Sequence, residues 1–168
     1  MMEQKTRELI SALSVGTLGA DEFIETYFEG KAPAQRQVME LLQEGISKRD
    51  AEAIEEAVVL LFVCDFDLRA FTVPCCELLS ADWHYKHEDI AQLLAEAKDP
   101  ASVDCLYEAA NSQLAYLDYD DTYQLARKCI KALSAIGNEA AVDKLRALSL
   151  QSEAPVAEYA RKELLHFA

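Results

Sequence analysis

Apolar residues recur along this chain at intervals of three and four, the spacing that gathers them on one face of an α-helix. Leu9, Ile10 and Leu13 mark a first helix over residues 2–14, and Phe23, Ile24, Tyr27 and Phe28 a second over 20–29. Ala20-Asp21 introduces that second helix, with Glu22 in its first turn, where the helix dipole favours an acid. Gly30 closes it, and Pro33 is expected to start a third helix at a position that tolerates a missing N–H. Val38, Leu41, Leu42 and Ile46 form the stripe of this third helix, which stops at residues 48–50. Asp50 is the expected N-cap of a fourth helix, and the run from Ala51 to Cys64 is apolar on all sides, as in a helix buried between neighbours. Asp65 and Asp67 bracket the next turn, and Pro74 predicts a kink or a late start in the helix that follows.

A helix over residues 85–97 turns Ile90, Leu93, Leu94 and Ala97 inward. Asp99-Pro100 punctuates it, a short helix follows over residues 101–111, and residues 112–121 read as a loop. Asp120 or Asp121 is expected to cap a long helix through Ile136, with Leu125, Cys129, Leu133 and Ile136 as its stripe. Gly137-Asn138 ends that helix in the manner of a left-handed cap. Two more helices, over residues 138–150 and 153–167, complete the pattern. No alternating run announces a strand, and with only five Gly and four Pro there is little turn chemistry for a sheet. The fold class expected is all-α.

The pattern repeats. Shifted by 39 residues, Ile90-Ala91, Leu94, Ala97, Asp99, Ala101, Val103-Asp104 and Leu106 fall on Cys129-Ile130, Leu133, Ile136, Asn138, Ala140, Val142-Asp143 and Leu145. A weaker copy upstream aligns Val38, Leu41, Leu42, Glu44, Asp50 and Ile54 with Ile90, Leu93, Leu94, Glu96, Asp99 and Val103. The unit is a helix, a tight turn carrying Asp or Asn, and a second helix. Residues 124–149, with an Ala-Leu-x-x-Ile-Gly turn followed by Ala-Val-x-x-Leu, resemble a HEAT repeat, and the resemblance extends over residues 34–167. It implies a right-handed α-solenoid of stacked antiparallel helix pairs, here one domain over residues 1–168. A helix pair with two apolar faces cannot bury both alone, so pairs must stack.

Charge sharpens the picture. The net charge is -14, and residues 50–121, with 17 acids against Arg69, Lys86 and Lys98, carry all of it (3 - 17 = -14). Such a field repels nucleic acid and anionic lipid and favours a cationic protein partner. It also rules out a DNA glycosylase on a helical-repeat scaffold, which needs a cationic face. The N-terminus has no signal-peptide run, and the longest apolar stretch, Ala57 to Cys64, is too short to span a bilayer. A soluble cytoplasmic protein is expected. The five cysteines, Cys64, Cys75, Cys76, Cys105 and Cys129, have no framework spacing and fall mostly at apolar positions, which predicts reduced, buried thiols.

Candidate chemistry is sparse. On a helix, His84, His87 and Glu88 would share one face, but no second His or Cys cluster completes a metal shell, so no metal is expected. The helical-repeat deoxyhypusine hydroxylases bind two irons with several His-Glu dyads, whereas this chain has only His87-Glu88. Asp118, Asp120 and Asp121 offer oxygen ligands, yet their loop lacks the Gly and the distal Glu of an EF-hand. No nucleophile elbow, phosphate loop or dinucleotide fingerprint appears, so neither an enzyme nor a cofactor is expected.

What stands out is aromatic residues interleaved with acids. Trp83, Tyr85, Tyr116 and Tyr119 lie beside Glu88, Asp89, Asp118, Asp120 and Asp121, and Trp and Tyr dominate binding energy at interfaces. Trp83 equally fits a core position between repeats. The run from Trp83 to Ile90, followed by Leu117-Asp118-Tyr119-Asp120, resembles HEAT-type immunity proteins of bacterial polymorphic toxin systems. That resemblance implies a non-catalytic inhibitor that neutralises a cognate toxin domain, commonly a nuclease with a basic cleft. The alternatives are a HEAT-like scaffold or adaptor for another cytosolic protein and, behind it, a metal-binding helical-repeat enzyme.

Overall fold

Each stretch with apolar spacing of three and four forms an α-helix in the computed structural model, which describes residues 3–117 and 122–168. Ten α-helices and four short 3₁₀ turns are present among the described residues, with no strand, so the chain is all-α. None of these helices is long and apolar enough to cross a membrane. The helices fall into two compact units, one ending at Phe66 and the other beginning at Asp67.

The first unit holds α1 (Gln4–Ser14), α2 (Ala20–Tyr27), α3 (Gln35–Lys48) and α4 (Ala51–Val63). Its core is Ile10, Phe23, Phe28, Val38, Leu42 and, from α4, Ile54, Ala57, Val58, Leu60 and Leu61. The breadth of that last set explains why α4 reads as apolar on all sides. Helix α2 ends two residues earlier than its apolar spacing suggests, because Glu29 (φ 53°) and Gly30 (φ 73°) both turn left-handed. Pro33 lies outside α3. The first helical bond is instead accepted by the carbonyl of Ala34, at 2.9 Å from the Gln37 N–H, so Ala34 is the capping residue. Helices α3 and α4 cross at Gly45, where an added Cβ would come within 2.9 Å of Ile54 Cδ1 and 3.1 Å of Ala53 Cβ.

In the second unit a 3₁₀ turn (Leu68–Phe71) leads into α5 (Thr72–Leu79), so Pro74 sits in a first turn, where its missing N–H costs nothing. Helix α6 (His87–Ala97), α7 (Val103–Ala110), α8 (Gln124–Ile136), α9 (Glu139–Ser149) and α10 (Ala154–Leu164) follow. Alternate helices touch: α6 lies against α8 and α8 against α10, while α5 lies against α7 and α7 against α9. Residues that correspond across the 39-residue shift are buried in both copies, as in Ile90 and Cys129, Leu94 and Leu133, Val103 and Val142, and Leu106 and Leu145.

One turn design recurs in both units. A left-handed residue ends a helix, and the next side chain accepts the orphan N–H groups of the following helix. Arg49 (φ 51°), Lys98 (φ 50°) and Gly137 (φ 64°) occupy the left-handed position. After them Asp50 accepts from the N–H groups of Glu52 and Ala53, Asp99 from Ala101, and Asn138 from Ala141.

Asp120 and Asp121, expected to cap α8, lie outside the described residues; Tyr123, at φ 51°, occupies the N-cap position, and its carbonyl accepts the Arg127 N–H at 2.9 Å. One expectation is corrected: not all five cysteines are reduced. Cys64, Cys75 and Cys129 are free and buried, but Cys76 is bonded to Cys105, with the Cα atoms 5.5 Å apart. The packing of α5 on α7 brings the two together, a pairing invisible when Cys75-Cys76 is judged only as neighbours in sequence.

Candidate functional site: an aromatic edge over a buried histidine pair

Helix α5 ends with exposed Ser80, whose hydroxyl turns back to the Glu77 carbonyl at 2.8 Å. Beyond it the chain turns towards α6, and two carbonyls there, Leu78 in the last turn of α5 and Ala81 just past it, each take a histidine donor. The Nε2–H of His84 donates to the Leu78 carbonyl at 2.9 Å, and the Nε2–H of His87 donates to the Ala81 carbonyl at 2.6 Å. A carbonyl only accepts, so both rings carry their proton on Nε2. The Nδ1 atoms are then acceptors, His84 from the Lys86 backbone N–H at 3.1 Å and His87 from the Tyr116 hydroxyl at 2.9 Å.

Both imidazoles are fully buried, and they stack face to face with centroids 4.1 Å apart and planes 10° from parallel. Burial disfavours the charged form, which pushes His84 down to about 4 and lowers His87 as well. The pair is therefore neutral at pH 7. This differs from the helical face shared by His84, His87 and Glu88 that the spacing suggests. His84 precedes α6, His87 is its first residue, and both are buried, with their Nε2–H groups on the carbonyls of Leu78 and Ala81.

The aromatic residues are built on this pair. Trp83 is half-buried, edge-on to the His84 ring at 5.3 Å, so it is neither a core residue nor a free surface one. Tyr116 is half-buried, and its hydroxyl is held by His87. Tyr85 is 69% exposed and stands perpendicular to the Tyr116 ring, with centroids 5.2 Å apart. Trp83, Tyr85 and Tyr116 thus form one assembly. The acids behave differently: Glu88 faces Lys128 of α8 at 3.4 Å, and Asp89 faces Lys86 at 3.7 Å, so each has a cation of the same chain beside it. Asp118, Tyr119, Asp120 and Asp121, also expected in the site, lie outside the described residues.

With both nitrogens of each imidazole engaged, neither ring offers a lone pair to a metal, and among the described residues no three His, Cys, Asp or Glu side chains converge as ligands. A second polar pair, missed by periodicity, lies in the first unit. The Tyr27 hydroxyl donates to Glu56 Oε1 at 2.6 Å, tying α2 to α4, and burial raises the pKa of both groups. Residues Glu3, Thr26, Gln37 and Glu56 border a cleft of about 330 Å³ beside it. Only the i, i+4-type apolar pattern was visible there, because Tyr27 reads as part of the stripe of α2.

No protein-family model, curated protein or solved structure matches the chain.

Proposed function

We propose that this chain is a non-catalytic protein-binding module, built of stacked helix pairs of the HEAT kind, that presents the Tyr85 edge to a basic partner. The stacked-pair reading is supported by the alternation of contacts from α5 to α10 and by the repeated left-handed, Asx-capped turn. It is supported further by three polar rungs between successive pairs. Glu88 with Lys128, Asp104 with Lys144, and Asn111 with Gln151 each join residues 40 apart (128 - 88, 144 - 104 and 151 - 111). A rung that recurs at the repeat length is what stacked units of about that size produce.

The single observation that carries the binding reading is Tyr85. A large aromatic side chain, 69% exposed, is held at a right angle against a second tyrosine whose hydroxyl is anchored to a buried histidine. Rigid aromatic anchors lose little freedom on binding, so they give more net affinity than mobile ones. The charge of residues 50–121 sets the sign of the partner. By its resemblance to HEAT-type immunity proteins, the partner is a toxin domain with a basic cleft, blocked one to one without turnover. Trp83, Tyr85, Tyr116 and Tyr119 then make the apolar contacts, and Glu88, Asp89, Asp118, Asp120 and Asp121 steer association.

The test is capture of the partner from native cells by the tagged chain and by Tyr85→Ala, with far-UV circular dichroism as the control for folding. Loss of a central aromatic anchor costs about 2 kcal/mol, roughly 30-fold in affinity. A partner retained equally by both proteins overturns the reading. A partner without toxic activity, lost with Tyr85→Ala, makes the chain an adaptor instead.

A further inference from the structure

We propose that His84 and His87 form a proton-operated clasp: neutral, the stacked rings hold the α5–α6 turn beside Tyr116, and protonation of His84 releases that turn. The clasp itself needs no partner; its effect on partner binding rests on the function proposed above.

The hydrogen-bond inventory leads to this. Above its protonation, His84 has one donor and one acceptor, and both are used: Nε2–H to the Leu78 carbonyl and Nδ1 from the Lys86 N–H, 3.1 Å away. A proton added at Nδ1 would face that N–H, donor against donor. One of them must move, and the turn carrying Trp83 and Tyr85 moves with it. His87 is different. Its Nδ1 faces a hydroxyl, and a hydroxyl oxygen accepts as readily as its proton donates. His87 can therefore take a proton while Tyr116 reverses the sense of the bond, and His84 cannot. A second proton would also set two like charges on rings 4.1 Å apart.

Among the described residues, nothing anionic in contact offsets the charge. On α5 the carboxylate is Glu77, which is exposed; the connecting segment carries exposed Asp82 and half-buried Lys86. On α6, Glu88 is beside Lys128 of α8, and Asp89 is beside Lys86. The turn over Ala115–Leu117 contributes the Tyr116 hydroxyl. Among the described residues no carboxylate hydrogen-bonds either ring. Burial lowers both imidazoles, His84 to about 4. The sign follows: the folded-state value lies below the unfolded one, so the contribution to stability is complete above the ordinary imidazole value of about 6.5. It declines as pH falls below that value and is gone below about 4.

The molecule carries its own reporter, because Trp83 is the only tryptophan and its ring lies 5.3 Å from that of His84. An imidazolium beside an indole quenches its emission. The full chain, titrated from pH 7.5 to 3, is expected to show a step in Trp83 fluorescence centred near pH 4. Far-UV circular dichroism is expected to stay constant through that step, and His84→Gln, which cannot titrate, is expected to abolish it. Emission that is flat throughout, a step centred at 6.5, a step that coincides with loss of helical signal, or the same step in His84→Gln overturns the clasp. Should His84→Gln fail to fold, ¹⁵N-detected imidazole spectra of the wild-type chain carry the test. Two of the three histidines must show the neutral Nε2–H tautomer at pH 7, and either ring found protonated or as the Nδ1–H tautomer refutes the proposal. Partner capture at pH 7.5 is measured separately. A fluorescence step without capture refutes the proposed function alone, and capture without the step refutes the clasp alone.

Discussion

Breaking the bond between Cys76 and Cys105 is expected to weaken the second unit more than any single surface change. The two residues are 29 apart in sequence, and the loop they close contains the α5–α6 turn, both buried histidines and the whole of α6. In the chain-entropy account, opening a loop of that size returns about 12 cal/mol/K to the unfolded chain, or about 3.5 kcal/mol at 25 °C. For a unit of about a hundred residues it corresponds to a fall of roughly 15 °C in melting temperature.

Two assays check it. Thiol titration of the denatured, unreduced protein should count three groups, Cys64, Cys75 and Cys129, and five after reduction. In the folded protein Cys75 and Cys129 should resist labelling, because burial pushes each thiol up to about 12 and little thiolate forms at pH 8. Thermal melts with and without reductant, repeated on Cys105→Ser, give the energy. Five reactive thiols in the unreduced, denatured chain, or reductant-independent melts with only three, would refute the reasoning. Alkylation at the moment of cell lysis then reports whether the bond exists in the cell.

The turns give three further tests by urea unfolding. Asn138→Ala removes the acceptor of the Ala141 N–H and is expected to cost about 1 kcal/mol at every pH. Asp99→Ala should cost about the same at pH 7 but little in acid. The Ala101 N–H holds the Asp99 carboxyl below its usual range, so its contribution is present above about pH 4 and lost as pH falls through the folded-state value; equal pH profiles for the two variants would contradict this. Gly137→Ala forces a side chain into φ 64° and places its Cβ 3.3 Å from the Phe167 ring, for an expected loss of about 1–2 kcal/mol. Gly45→Ala sets a helix-propensity gain of about 1 kcal/mol against overpacking of about 1–3 kcal/mol at Ile54 and Ala53; since Ile54 is fully buried, a net loss is expected, and a stabilised variant would show that α3 and α4 part readily.

These turns also show what was legible in the sequence and why. Asp50, Asp99 and Asn138 could be read as caps because capping is local: a short acceptor beside the first N–H groups of a helix needs no tertiary contact. The left-handed Arg49 and Lys98 before two of them could not, since neither residue type favours positive φ and only the tight helix-to-helix turn imposes it. The apolar stripes were equally legible, because burial of one helix face follows from spacing alone. Of the candidate site, only the nearness of Trp83, Tyr85 and Tyr116 was legible; what joins them is a demand from elsewhere, the carbonyls of Leu78, in the last turn of α5, and Ala81, just beyond it. Helical spacing puts His84 and His87 on one face with Glu88 because it assumes that the helix has already begun. It begins at His87, and a residue outside the helix is aimed by the bonds it can make, whatever its spacing. The same limit hid the pairing of Cys76 with Cys105 and of Glu88 with Lys128, each of which exists only once one helix is laid against another. It also changes the meaning of the acids. Glu88 and Asp89, read as free charges for a partner, each stand beside a lysine of their own chain, so a basic partner must displace Lys128 or Lys86 to use them, and the net gain from either is small. Tyr85 meets no such competitor, and for that reason the aromatic edge, more than the charge beside it, is where loss of binding should be looked for first.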